Sequence, residues 1–235
     1  MATLTSGAPL GEVAEILHAA SLLGRSAWNR EAPSEANLMP GIEEELRRNL
    51  LNLFGLLDQR QIPYLLVGGI AMLTYVEGRN TKDVDLVLSV QSLERLPEIT
   101  VLDRNRDFAR CRFSSLRVDV LFTTNPLFEL IQQKHATIHR FLESEVRCAT
   151  VEGLIVLRLY ALPALYRQGD GQRIGLHENE IFMLCERYRP SMEPLYAIVQ
   201  PYVDADEMRE LRSIVTDIEA RIQRVDRLKQ PPAAP

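Results

Sequence analysis

The chain has 235 residues, of which 46% are hydrophobic and 25% charged, and its net charge is −5. This composition is ordinary for a globular protein, and the acidic balance argues against a general nucleic-acid coat protein. No apolar run approaches the ~20 residues that span a bilayer. The N-terminus also lacks the basic and apolar regions of a signal peptide. We therefore expect a cytoplasmic protein with no membrane partner.

The first forty residues predict one helix and one loop. Residues 1–10 are small and polar, and Gly11–Leu23 carries apolar side chains near helical spacing. Arg25–Pro40 is typical of a loop. A second helix is predicted at Gly41–Gln59, where apolar residues form one stripe.

Alternating helix and strand signals follow and predict a mixed α/β core over residues 41–149. Tyr64–Val67 is an apolar strand, Gly68-Gly69 turns the chain, and a short helix is expected at Ile70–Val76. Further strands are predicted at Val84–Val90, Ile99–Leu102, Phe108–Phe113, Arg117–Phe122 and Glu145–Ala149, with Ser92 as a helix cap, a hairpin turn at Ser114-Ser115 and a helix from Asn125 to Lys134.

From Thr150 onward the sequence predicts helices alone. The four expected helices are Thr150–Tyr166, Leu176–Arg187, Met192–Tyr202 and Ala205–Leu228. We accordingly divide the chain into an N-terminal segment (1–40), an α/β core (41–149), a helical domain (150–230) and a disordered tail (231–235).

Three aspartates lie inside apolar strands, where acids are not expected. Asp83 and Asp85 are two residues apart, so in a strand both carboxylates point to the same face, with Val84 and Leu86 on the other. Asp119 lies in a later strand that could neighbour the first. Carboxylates held this close repel one another unless a cation lies between them.

The residue types favour magnesium and a phosphate chain. Magnesium takes few carboxylates and completes its shell with water and phosphate oxygens. Asp119 would be a third ligand and a general base towards an acceptor hydroxyl. Gly68-Gly69 permits close backbone approach before a helix N-terminus, which suits phosphates. Arg79 lies in the loop before Thr81 and is a further phosphate candidate.

This arrangement resembles the nucleotidyltransferase superfamily, which has the DNA polymerase β-like fold. The resemblance rests on Gly68-Gly69, on the Thr-x-Asp-x-Asp motif beginning at Thr81, and on the later apolar-Asp-apolar strand at Asp119. Within that superfamily the chain resembles the AbiEii/MenT toxin-type branch, which has the same Thr-x-Asp-x-Asp motif and a later helix similar to Arg158-Leu-Tyr-Ala-Leu162. Arg158 stands where the branch has lysine, and Glu180 where it has a late aspartate.

The resemblance implies an α+β fold, with a mixed sheet flanked by helices and a C-terminal helical bundle. It implies transfer of a nucleoside monophosphate from an NTP such as ATP, with Asp83, Asp85 and Asp119 holding up to two magnesium ions. Gly68 and Gly69 would cradle phosphates near Thr81. Arg158 and Arg167 would neutralise the leaving pyrophosphate.

The acceptor stays open at this point. RNA, in particular a tRNA 3′ end, a protein hydroxyl or a small molecule would each serve, and a toxin-type enzyme would have a cognate antitoxin or partner protein. The arginines between Arg104 and Arg117 fit either a solvated hairpin or a phosphate-binding surface. The alternative function is a catalytically inactive nucleotidyltransferase-like module that binds a partner.

Overall fold

A computed structural model describes residues 40–76, 83–141 and 144–229. The predicted helix at Gly11–Leu23, the predicted loop as far as residue 39 and the tail at 231–235 lie outside these residues. Pro40, predicted as the last residue of the loop, is the first residue of a helix. The chain divides into two compact units between Ala149 and Thr150. Each unit is described by itself below.

The first unit combines a mixed sheet with short helices. Its helices are α1 (Pro40–Gln59), α2 (Gly68–Met72), α3 (Val90–Glu94) and α4 (Pro126–Lys134), and its strands are β1 (Tyr64–Val67), β2 (Asp83–Leu88), β3 (Thr100–Arg104), β4 (Phe108–Phe113), β5 (Leu116–Phe122), β6 (Ala136–Phe141) and β7 (Ser144–Ala149).

Within the described residues the seven strands form one sheet in the order β3-β4-β5-β2-β1-β7-β6. The β2/β5 and β1/β7 pairs are parallel, and the other neighbours are antiparallel. The centre of the sheet is therefore β2, with β1 on one side and β5 on the other. This arrangement brings the two strands that carry the aspartates side by side.

Helices cover the two faces of the sheet. On one face Phe54 of α1 stacks on Tyr64 of β1, with ring centroids 6.3 Å apart, and meets the edge of Phe141. On the other face Phe128 of α4 meets the ring of Phe108 at 5.4 Å. We call this second face the carboxylate face, because β2 and β5 alternate and turn Asp83, Asp85 and Asp119 towards it.

Most predicted elements of this unit are confirmed, with three corrections. The helix after β1 begins at Gly68 rather than Ile70 and ends at Met72. The cap of α3 is Ser89, whose hydroxyl accepts from the Ser92 backbone N–H, so Ser92 is not the cap. Strand β6 was not predicted, since its mixture of polar and apolar residues between a helix and β7 gives no clear strand period.

The second unit is helical throughout its described part. Thr150 and Asp170 cap the first two helices through their side-chain oxygens. Apolar stripes pack the helices together, with Leu159, Leu162, Ile181 and Val199 fully buried. The helices are α5 (Val151–Gln168), α6 (Gly171–Tyr188), α7 (Met192–Val199), followed by the 3₁₀ turn Gln200–Tyr202, and α8 (Ala205–Lys229).

The predicted fold class, an α+β sheet domain followed by a helical bundle, is confirmed. Among the described residues, no helix combines the length and apolar character that a membrane crossing requires.

Candidate active site

Asp85 and Asp119 lie opposite one another in the parallel β2/β5 pair. Residues in register on neighbouring strands share a face, and the strands are about 4.8 Å apart. Both aspartates are half-buried, whereas the alternate residues of the two strands are fully buried on the other face: Val84, Leu86, Val118 and Val120. The sheet thus holds two of the three predicted acids side by side.

Gly68 meets Asp85 at the end of β1. Its backbone has φ +64°, and a Cβ at this position would lie 1.9 Å from Oδ2 of Asp85. The next backbone N–H, that of Gly69, is oriented to donate to the same oxygen, with N and Oδ2 3.4 Å apart. Only glycine combines this positive φ with this close approach. The predicted turn therefore lies directly against the predicted carboxylates.

Asp83 lies one row further along the carboxylate face. It is in register with Arg117 of β5, and Arg117 Nη1 lies 3.2 Å from Asp83 Oδ2. The side chains are 53% and 31% exposed for Arg117 and Asp83, respectively. An ion pair this exposed contributes about 0–1 kcal/mol, so a cation or phosphate that interacts more strongly would displace it.

The fit of these residues to magnesium depends on their chemistry and spacing. As the side chains stand, no group of three or more His, Cys, Asp or Glu in the described ranges is arranged to hold a metal ion. Magnesium, however, requires only one or two carboxylates, because water and substrate phosphates supply its other ligands. Asp85 and Asp119 provide that pair. Asp83 would become a third ligand once its ion pair with Arg117 is broken.

The negative charge of Asp119 affects the Cys111 thiol on the neighbouring strand β4. Burial, and secondarily the charge of Asp119, raises the pKa of the Cys111 thiol to about 11. Cys111 is fully buried on the opposite face of β4. It therefore stays protonated at neutral pH and is no candidate for a nucleophile.

The remaining predicted residues are not all described. Arg79 and Thr81 lie outside the described residues. Arg158 and Arg167 belong to the second unit, where each forms an ion pair, Arg158 with Glu180 and Arg167 with Glu207. Glu180 is fully buried, so Arg158 neutralises a carboxylate that has no access to water.

The sequence reading did not identify Arg117 as a neighbour of the predicted metal ligands. Its position two residues before Asp119 places both side chains on one face. That alternation was the available signal. The contact with Asp83 depends on the register of β2 against β5, which the alternation does not define.

Comparison with known structures identifies the fold. A crystal structure of an antigenic nucleotidyltransferase-like protein from Paracoccidioides brasiliensis matches with TM-score 0.50 and 16% identity, over 77% of this chain and 93% of that chain. The solution structure of the antibiotic-resistance factor ANT(2'')-Ia matches with TM-score 0.46 and 15% identity, over 79% and 99%. The crystal structure of ANT(2'')-Ia in complex with adenylyl-2''-tobramycin gives 0.45 and 13%, over 67% and 97%.

No family model matches the chain, and no curated protein sequence does. The structural similarity to the first of these proteins nevertheless shows that this chain has the nucleotidyltransferase-like fold. At this identity the similarity defines the fold alone.

Proposed function

We propose that the protein is a metal-dependent nucleotidyltransferase that moves a nucleoside monophosphate from an NTP to a hydroxyl group. The observation that carries this proposal is the register of Asp85 against Asp119, next to a glycine turn that only glycine can form. Half-buried carboxylates side by side destabilise a sheet. A cation shared with substrate phosphates would lower this repulsion.

Each residue of the site has a defined task in this proposal. Asp83, Asp85 and Asp119 would hold one or two magnesium ions, which when bound withdraw negative charge from the phosphates. The Gly68-Gly69 turn would hold the β- and γ-phosphates against backbone N–H groups. Outside the described residues, Arg79 and Thr81 are proposed to contact the same phosphates.

The bond changes of the transfer follow from these positions. The acceptor oxygen forms a bond to the α-phosphorus while the bond to the bridging oxygen breaks, so pyrophosphate leaves with the electron pair. Asp119 accepts the hydroxyl proton and passes it to water. Alignment of the two substrates accounts for most of the acceleration.

Arg158 and Arg167 are proposed to neutralise the leaving pyrophosphate. In the described second unit both already pair with acids, so this task requires each to interact with a phosphate in addition to, or in place of, its glutamate. The AbiEii/MenT branch, a tRNA 3′ end or a protein as acceptor, and a cognate antitoxin are proposals supported by sequence resemblance alone.

The decisive experiment is a transfer assay with α-labelled NTP, magnesium and total cell extract. We expect label in one fraction, RNA, protein or metabolite, and none with Asp83→Ala or Asp119→Ala. Circular dichroism and thermal unfolding should show that both variants keep the fold. Retained transfer in either variant would falsify the assignment of that carboxylate.

The second candidate function is a nucleotidyltransferase-like module without catalysis. It is favoured by the ion pair between Arg117 and Asp83, which engages one predicted metal ligand. Calorimetry with magnesium and each NTP, together with a pyrophosphate-release assay, distinguishes the two. A catalytic protein binds an NTP and releases pyrophosphate in the presence of acceptor, whereas the module releases none.

A further inference from the structure

Three arginines share the carboxylate face with the aspartates. In the register of the sheet, Arg112 of β4 lies opposite Arg117 of β5, and Arg110 lies opposite Asp119. Arg110, Arg112 and Arg117 are all exposed. The residues thus form two rows across β4, β5 and β2, with the positive charges concentrated towards β4 and the acids towards β2.

One of the two rows places two positive charges opposite one another on β4 and β5. Like charges directly opposite one another destabilise a strand pair, and Arg112 faces Arg117. Within the described chain, neither Arg110 nor Arg112 forms an ion pair with an acid. The exposed pair between Arg117 and Asp83 compensates only partly. An anionic ligand bound across β4 and β5 would remove this repulsion.

The position of the arginines relative to the glycine turn indicates which substrate they meet. Val67 of β1 is in register with Asp85, and Gly68 follows it, so the turn lies on the β1 side of the acids. Arg110 and Arg112 lie on the opposite side, on β4, beyond the strand that carries Asp119 and Arg117. In an in-line displacement the attacking and leaving oxygens lie on opposite sides of the phosphorus. An acceptor would therefore approach over β5 and β4.

The same strand adds an aromatic side chain to the charges. Phe108, Arg110 and Arg112 alternate along β4 and so point to the carboxylate face, and residue Phe108 is 45% exposed although its ring contacts Phe128. Aromatic rings interleaved with cations are the usual surface for single-stranded nucleic acid, because bases stack on the rings while the cations follow the phosphates. A site that binds only a phosphate ion would not require an aromatic ring.

A cleft lies at the β4–β5 hairpin, next to Arg112 and Arg117. Its volume is about 340 Å³, and Arg112, Arg117, Ser114 and Ser115 line it together with Leu102 and Cys111. Asn49 Nδ2 donates to Ser115 Oγ over 2.8 Å and so fixes that hydroxyl. Hydroxyl and guanidinium groups at one cleft are suitable donors to phosphate oxygens.

We propose that Phe108, Arg110, Arg112 and Arg117 bind a single-stranded polynucleotide and direct its terminal hydroxyl to Asp119. This inference rests on the proposed function, since it assigns the acceptor side of the same site. It selects an anionic acceptor over a neutral or cationic small molecule. It also explains how a chain of net charge −5 would bind RNA through a local basic surface.

The test is fluorescence anisotropy with a labelled single-stranded oligoribonucleotide that has a free 3′ hydroxyl. The Arg110→Gln/Arg112→Gln variant should bind at least tenfold more weakly. Its slope of log affinity against log salt should fall by about 1.4, which corresponds to two lost phosphate contacts. The matched control is Arg224→Gln/Arg227→Gln, which makes the same charge change on exposed positions of α8 and should bind like the wild type.

Further variants and ligands separate a polynucleotide surface from a simple anion site. Phe108→Leu keeps an apolar contact to Phe128 but removes the stacking ring, and it should weaken RNA binding about fivefold or more. Inorganic polyphosphate should compete poorly. Three results would each overturn the inference. They are an equal loss of RNA affinity in Arg110→Gln/Arg112→Gln and in the control variant, unchanged RNA affinity in Phe108→Leu, and equal affinity of the wild type for polyphosphate and RNA.

Calorimetry with magnesium and NTP on the same proteins distinguishes this inference from the proposed function. If the wild type and Arg110→Gln/Arg112→Gln both bind NTP, and only the wild type binds RNA tightly, the result supports the proposed function and the acceptor inference. NTP binding without RNA binding by the wild type overturns the acceptor inference and leaves the proposed function standing. Absence of NTP binding by the wild type removes the proposed function and the inference with it.

Discussion

Asp85 and Gly68 lie so close that a methyl group at position 68 would place its carbon 1.9 Å from the carboxylate oxygen Oδ2. Strand β2, which carries Asp85, therefore packs directly against the Gly68-Gly69 turn. Both glycines of the turn are buried, so any side chain at position 68 would have to displace the Asp85 carboxylate.

Gly68→Ala should abolish NTP binding because the new Cβ displaces Asp85. Gly169→Ala is the matched control, since Gly169 has φ +67° but no atom within 4 Å of the added Cβ. Backbone strain should cost each variant about 1–2 kcal/mol of unfolding free energy, and the clash with Asp85 should add to this loss in Gly68→Ala alone. Calorimetry should show that only Gly68→Ala loses magnesium-dependent NTP binding. Equal NTP affinity in the two variants would contradict the contact.

Asp119→Asn should remove the thermal response of the protein to magnesium and NTP. The substitution lowers the repulsion with Asp85 but also removes the attraction to Arg110 on the other side, so the melting temperature without metal should change little. Addition of magnesium and NTP should raise the melting temperature of the wild type alone. A lower melting temperature for the metal-free variant would indicate that Asp119 has a structural role.

Arg158→Met should destabilise the second unit strongly, because it leaves the fully buried Glu180 carboxylate without its cation. Breaking such a pair costs about 3–5 kcal/mol, and Arg158→Met/Glu180→Leu should recover most of that loss. Arg167→Met is the control, since its side chain is 65% exposed and the loss should be about 0–1 kcal/mol. Urea unfolding measures all four proteins, and a small loss in Arg158→Met would refute the buried pair.

Unfolding stability should fall as the pH rises from 9 towards 11. Burial raises the pKa of the Cys111 and Cys185 thiols from 9.0 to about 11, and it also raises the pKa of Cys148. The unfolded chain therefore releases these protons near pH 9, while the folded protein retains them, so stability present below pH 9 is lost above it.

Urea unfolding at several pH values between 8 and 11 tests this dependence. The slope of unfolding free energy against pH should become smaller in Cys111→Ala and Cys185→Ala. A thiol reagent at pH 8 should react with the unfolded protein only. Rapid reaction of the native protein would show that the thiols are accessible.

The sequence by itself determined that Asp83 and Asp85 share one face of their strand, because alternation along a strand depends only on local backbone geometry. It also located Gly68-Gly69 at the end of a strand and the helical half after Thr150, because apolar periodicity and caps are local signals. These features defined the fold class and the chemistry to be expected.

Only the tertiary structure decided which residues face one another. The register of β2 against β5 pairs Asp85 with Asp119 and Asp83 with Arg117, and a one-residue shift would have moved every side chain of one strand to the other face. Register is set by packing between segments distant in the sequence, which local patterns do not encode. For the same reason, the pairing of Arg158 with Glu180 emerges only once α5 and α6 pack together.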